Sequence, residues 1–103
     1  MKTFVYLYHA DMIAPPSAES MQAWGAWMQA LGEHLVDGGS PLNGAKASLA
    51  GGQVAQGAEL GDDVIGYSII RADDMSQAIG LAQGNPLADA PGCSVMVYET
   101  GQM

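Results

Sequence analysis

The stretch LYHAD, residues 7–11, places an imidazole and a carboxylate two positions apart. A histidine held by a carboxylate is a competent general base, and Asp11 is the carboxylate nearest in sequence to His9. These two residues are therefore the candidate catalytic pair. The competing interpretation, which we favour, is that His9 is a half-exposed residue at a strand end and Asp11 a loop residue.

The other residues that could do chemistry have structural explanations. His34 lies near the predicted end of a helix, where a cation interacts favourably with the helix carbonyls. Cys93 precedes a strand without a basic neighbour in sequence, which is typical of an inert packed thiol. Since it is the only cysteine, the chain has no internal disulfide. The histidines form no closely spaced ligand motif, and the sequence predicts neither a metal site nor a cofactor.

Charge excludes two classes of partner. Three basic residues stand against eleven acidic ones, and the formal net charge is −8. Nucleic acids and anionic membranes are bound by clustered Lys and Arg, so we expect neither as a partner. The chain shows no membrane-span pattern and no signal peptide. We therefore expect a cytoplasmic protein with a single domain, residues 1–103.

The elements that must position these residues begin with a strand and a helix. The run TFVYLY, residues 3–8, is β-branched and aromatic, and both of its faces are apolar. Ser17 is the predicted N-cap of a helix that continues to the DGG stretch at residues 37–39. Its apolar stripe, at spacings of three and four, comprises Met21, Trp24, Met28, Leu31 and Leu35, with Trp27 at the edge.

The second half of the chain contains the remaining elements. Residues 40–63 indicate a weak hairpin that turns at Gly51-Gly52, and the stretch DDVIGYSIIRA, residues 62–72, then predicts a strand. Asp73 is the predicted cap of a shorter helix. Gly84 and Pro86 end that helix, and CSVMVYE, residues 93–99, predicts the last strand.

This order predicts an α+β fold with ferredoxin-like βαββαβ topology, an antiparallel sheet and both helices on one face. The other face is called the open face below. We expect the aliphatic residues Val5, Leu7, Val95 and Val97 under the helices. The large aromatic and methionine residues are then expected on the open face: Phe4, Tyr6, Tyr8, Tyr67, Met96 and Tyr98. So much apolar surface needs a cover, and we expect a homodimer that closes through the two open faces.

Four stretches, MKTFVYLY, GEHLVDGGSPLNG, IGYSIIRADDMSQAIGLAQGNP and SVMVYE, resemble the YCII-related (DGPF-domain) family of the dimeric α/β-barrel class. The resemblance implies this fold and a dimer. The DGPF tetrapeptide itself is absent, and the corresponding stretch reads VAQGAE. Family members proposed to be enzymes carry a His in the first helix and an Asp before the Pro that follows the second. The matching positions here hold Gln22 and Asn85, so that acid–base pair is not carried over.

Three functional hypotheses remain. The first, which we prefer, is a homodimer that binds a small apolar or aromatic ligand. Its expected pocket residues are Tyr6, Tyr8, Tyr67, Met96, Tyr98 and Trp27. The second is a cofactor-free enzyme, of isomerase, dehydrochlorinase or monooxygenase type, with His9 as the base and Tyr6 or Tyr8 orienting the substrate. The third is an accessory protein without a ligand.

Overall fold

The computed structural model describes residues 1–11, 17–57 and 64–101. Its strands are β1 (Lys2–Ala10), β2 (Leu35–Asp37), β3 (Ala47–Ala50), β4 (Gln53–Gln56), β5 (Val64–Ala72) and β6 (Cys93–Glu99). Its helices are α1 (Ala18–Leu31), a 3₁₀ turn (Gly32–His34) and α2 (Met75–Ala82). The predicted α+β class is confirmed. The acidic pair at 62–63, predicted to be the start of a strand, lies outside the described residues.

The main sheet has four strands in the order β2-β5-β1-β6, and every neighbouring pair is antiparallel. Strand β1 is central, and β6 and the short β2 are the edges. Both helices pack on one side of β1, because the Tyr6 and Tyr8 rings contact the α1 tryptophans and the Tyr6 hydroxyl reaches the carbonyl oxygen of Ala78 in α2. The apolar core lies between these helices and the sheet.

The prediction that Phe4, Tyr6 and Tyr8 lie on the open face is wrong. All three are buried in the core under the helices. The register explains the error, because Tyr6 pairs with Val97 and Tyr8 with Val95. Directly paired residues share a face, so the tyrosines lie on the same side as the β6 valines.

The same register places the aliphatic residues of β1 on the opposite face from the one predicted. Val5 pairs with Ile69 and Tyr98, and Leu7 pairs with Tyr67 and Met96. Val5 and Leu7 therefore lie on the open face and not under the helices as we predicted. The resulting apolar surface comprises Val5, Leu7, Tyr67, Ile69, Met96 and Tyr98, of which Met96 and Tyr98 are exposed.

Helix α1 begins where the sequence predicts. Ser17 Oγ accepts the Ser20 backbone N–H at 3.0 Å, and the Ser20 side chain returns to the Ser17 backbone, which completes a capping box. The helix ends earlier than expected, since Gly32 leaves the helical conformation with φ +56°. The predicted stripe is therefore partly wrong: Leu35 belongs to β2, and Trp27 is buried at its centre and not at its edge.

Helix α2 is capped by Asp74 and not, as predicted, by Asp73. Asp74 Oδ1 accepts the Gln77 backbone N–H at 2.8 Å, while Gln77 Oε1 accepts the Asp73 backbone N–H at 2.7 Å. The two bonds satisfy backbone donors at the helix start reciprocally. The helix ends at Ala82, and β6 spans the predicted residues 93–99.

Strands β3 and β4 form the predicted hairpin. Gly51 and Gly52 both have positive φ, +59° and +78°, which suits the two-residue turn that matches the twist of paired strands. Every residue of both strands is exposed. The hairpin is therefore a projection from the body of the domain, joined to it near the start of β5 by the bond from the Leu42 N–H to the Ile65 carbonyl at 2.9 Å.

The chain crosses β5 closely at Gly39. Its φ is +79°, and a Cβ atom at this position would lie 1.6 Å from the Tyr67 carbonyl oxygen. Only glycine fits, because the obstructing atom belongs to the backbone of a central strand.

Replacing Gly39 with alanine should lower the free energy of unfolding by at least about 2 kcal/mol, because the crossing must open to admit the methyl group. Gly25→Ala is the matched control: Gly25 is exposed in α1 with nothing within 4 Å of the added carbon. The control should gain about 0.5–1 kcal/mol of stability. Urea unfolding of both variants checks this, and equal stabilities would contradict it.

Candidate functional site

A groove of about 330 Å³ lies between α2 and the edge strand β6. Its size falls at the lower end of the range for small-molecule sites. The lining is mainly apolar, with a few polar groups, and comprises Ile79, Ala82, Gln83, Ala88, Cys93, Ser94, Val95 and Val97. Such a lining suits a modest apolar ligand whose orientation is set by one or two hydrogen bonds.

Backbone groups of β6 add polar capacity to this groove. The Thr100 N–H bonds to the Thr3 carbonyl and the Asp11 N–H to the Gly92 carbonyl, both at 3.0 Å. Backbone groups in an antiparallel strand alternate in direction. The even-numbered residues of β6 therefore bond to β1, while the N–H and C=O groups of Val95 and Val97 point outward from the sheet edge. A bound ligand could use these groups.

A buried polar cluster joins β1, β5 and the residue that follows β2. The Tyr8 hydroxyl donates to Ser68 Oγ at 2.7 Å, and Ser68 donates in turn to the Gly38 carbonyl at 2.8 Å. Asn85 is buried beside Tyr8, and its Oδ1 accepts the Leu87 N–H at 2.8 Å. Asn85 Nδ2 is buried without a hydrogen bond to the described residues. The Asn85 side chain lies close enough to Tyr8 to lower the pKa of its phenol, although Asn85 Nδ2 and the phenol do not form a hydrogen bond.

The hydroxyl groups of Tyr6 and Tyr8 form hydrogen bonds in the core and stay protonated at neutral pH. The Tyr6 hydroxyl donates to the Ala78 carbonyl at 2.6 Å. Burial raises the pKa of Tyr8 to about 12, against smaller lowering effects from Ser68 and Asn85. Burial, with a smaller contribution from Tyr8, raises the pKa of Tyr6 above its usual range. Neither phenol supplies an acid or base near neutral pH.

The structure separates His9 from the tyrosines proposed to act with it. Successive strand side chains point to opposite faces, so His9 faces away from the helices while Tyr6 and Tyr8 face toward them. Asp11 follows the strand, and its carboxylate lies against Gly92. His9 and the two tyrosines therefore lie on opposite sides of the sheet, and neither Tyr6 nor Tyr8 is placed to orient a substrate for His9.

The six expected pocket residues divide between two surfaces, and none lines the groove. Tyr6, Tyr8 and Trp27 form the helix-side core, where Trp27 Nε1 donates to the Leu81 carbonyl at 3.0 Å. Tyr67, Met96 and Tyr98 lie on the open face. Sequence reasoning missed the groove because its apolar wall combines Ile79 from α2 with valines from the next strand, and neither pattern alone shows that the two elements leave a groove between them.

The two positions that the family resemblance singled out lie in different environments. Gln22 is exposed on α1, whereas Asn85 is buried in the Tyr8 cluster. An amide at the second position binds by hydrogen bonding and does not titrate.

No protein-family model matches this chain, and no curated protein matches it. Within residues 1–11, 17–57 and 64–101, no cluster of His, Cys, Asp and Glu could hold a metal ion. Neither described helix has the length and apolar character needed to cross a membrane.

High pH should unfold this protein through its buried phenols. Below a pH of about 10, the Tyr8 phenol is protonated in the folded and in the unfolded state. Between about pH 10 and pH 12 the unfolded state releases this proton while the folded state keeps it, so the free energy of unfolding falls. Tyr8→Phe should reduce this loss between pH 10 and pH 12. Urea unfolding at several alkaline pH values measures it, and an unchanged pH dependence would contradict the prediction.

Proposed function

We propose that this chain is a homodimeric small-molecule-binding protein whose ligand lies in the groove between α2 and β6. The observation that carries the proposal is the groove itself, with its apolar wall and few polar groups. The strand order β2-β5-β1-β6 supports a ferredoxin-like topology interrupted by the β3–β4 hairpin. A place among the YCII-related dimeric α/β barrels is part of this proposal.

The chemistry of the lining defines the ligand class. Ile79, Val95 and Val97 offer an apolar surface, and Ile79 is 45% exposed, so it is available to a ligand. The outward N–H groups of Val95 and Val97 are donors for a carbonyl or carboxylate oxygen. We therefore infer a compact apolar or aromatic molecule that carries one acceptor group.

Binding is favoured over catalysis by the residues that line the groove. The lining contains neither histidine nor carboxylate among the described residues. His9 lies on the other face of the sheet from the Tyr6 and Tyr8 hydroxyls. The enzyme hypothesis based on these three residues thus has no geometric support, while the binding hypothesis needs only shape, apolar contact and hydrogen-bond donors.

A homodimer is supported by the area of exposed surface. The chain exposes 6965 Å², whereas a compact monomer of its mass exposes about 5,500 Å². The open face, with Met96 and Tyr98 exposed, is the surface that we propose two copies share.

The ligand site is tested by filling the groove. A library of small aromatic acids is screened by protein-observed nitrogen–proton NMR, and binders should shift the amides of Ile79, Gln83, Val95 and Val97. Ala88→Phe places a ring in the groove and should weaken those binders at least about tenfold, since it occupies their space. Ala26→Phe, at an exposed α1 position outside the groove, should leave binding unchanged. Shifts confined to other regions would refute this site.

The dimer is tested by sedimentation equilibrium at micromolar concentration. The expected mass is twice the monomer value of 10.6 kDa. Met96→Asp should shift the equilibrium toward monomer, because it would bury an unpaired carboxylate in the shared face. Met21→Asp is the matched control, since Met21 is also an exposed methionine but lies on α1. A wild-type protein that sediments only as monomer would overturn the assembly.

A further inference from the structure

The β3–β4 hairpin has two different faces. Leu49 and Val54 are directly paired and lie on one face, with exposed fractions of 76% and 61%. The opposite face carries small and polar side chains, among them the pair Ser48 and Ala55. The face of Leu49 and Val54, called the apolar face below, also carries the pair Ala47 and Gln56, so its large apolar side chains are Leu49 and Val54 alone. An exposed apolar pair on one side of a hairpin is typical of a surface that packs against something. Within the described residues, nothing covers the apolar face.

The hairpin is also too small to be stable by itself. Two isolated strands are marginal in water and need packing against another surface. The radius of gyration is 14.8 Å, against about 13 Å for a compact domain of this length. Every residue of the two hairpin strands stays exposed in the single copy.

We propose that the hairpin is an arm that packs the Leu49–Val54 face against the open face of a second copy, beside the exposed Met96 of that copy. The inference rests on the proposed homodimer. It adds a contact that sheet-to-sheet packing alone would not include, and it is reciprocal, because each copy carries one arm and one receiving surface.

Charge supports a second copy as the occupant. The stretch 47–56, ASLAGGQVAQ, contains no ionisable side chain, although the chain carries a net charge of −8. The residues of the proposed seat, Met96 with its neighbours Leu7 and Tyr67 in the sheet, are also uncharged. An uncharged arm approaches an acidic copy without repulsion and buries no unpaired charge.

Geometry indicates which part of the second copy receives the arm. The segment that leads into the hairpin runs along the β2 side of β5, where Pro41 pairs with Gly66. When two sheets stack about a two-fold axis that runs along their strands, the β2 edge of one copy lies over the β6 edge of the other. At the level of Gly66 and Tyr67, β6 presents Met96, which pairs with Leu7 beside Tyr67.

Charge reversal of the arm tests the proposal. Leu49→Asp and Val54→Asp should each raise the dimer dissociation constant at least about tenfold by sedimentation. Both sites are exposed in the monomer, so circular dichroism and the melting temperature at low concentration should stay unchanged. Ser48→Asp, on the other face of the same strand, should leave the dissociation constant within twofold of wild type. Equal effects of Leu49→Asp and Ser48→Asp would overturn the arm and leave the dimer standing.

Disulfide trapping tests the receiving surface. In a Cys93→Ser background, Leu49→Cys is mixed with Met96→Cys and oxidised. A disulfide-linked pair from the mixture, and none from either variant alone, is the expected result. A linked pair from Leu49→Cys alone would place the arms against each other and overturn the proposed seat. A wild-type protein that is monomeric would overturn both the arm and the dimer.

Discussion

The arrangement of the domain depends on hydrogen bonds from the hydroxyl groups of two buried tyrosines. Tyr6 and Tyr8 lie on the helix side of the central strand, where a hydroxyl left without a partner would cost about 1–3 kcal/mol. Tyr6 reaches the Ala78 carbonyl and so ties α2 to β1; Tyr8 reaches Ser68, which holds the Gly38 carbonyl. The Tyr6 bond thus holds α2, which forms one wall of the groove, against β1.

The elements were predictable where their signals are local. Ser17, the Gly51-Gly52 turn and the β6 span need only neighbouring residues, and the structure confirms all three. The end of α1 was missed although its signal is local too. The apolar spacing continues past Gly32 to Leu35 and predicted a longer helix, whereas Gly32, with φ +56°, ends the helix and leaves Leu35 to pair with β5.

The faces of the sheet depend on register, which is not a local property. Strand β1 is apolar on both sides, so alternation alone cannot say which set faces the helices. Sorting by chemistry, aliphatic inward and aromatic outward, failed because the two α1 tryptophans and Ser68 give the tyrosines ring contacts and hydrogen-bond partners. The groove is harder to predict than the faces of the sheet, because its walls come from two elements, α2 and β6, that meet only in the folded domain.

The central position of β1 also sets the order in which the chain can fold. Its partners are β5 and β6, and the pairing of Phe4 with Glu99 joins residues at opposite ends of the described chain. Contacts of such long range slow folding, because the intervening loop must close before they form. Since synthesis runs from the N-terminus to the C-terminus, β1 is made before both of its strand partners. Until β5 and β6 have been made, Tyr6 and Tyr8 lack the sheet that helps to bury them, and incomplete chains of this kind are prone to associate wrongly.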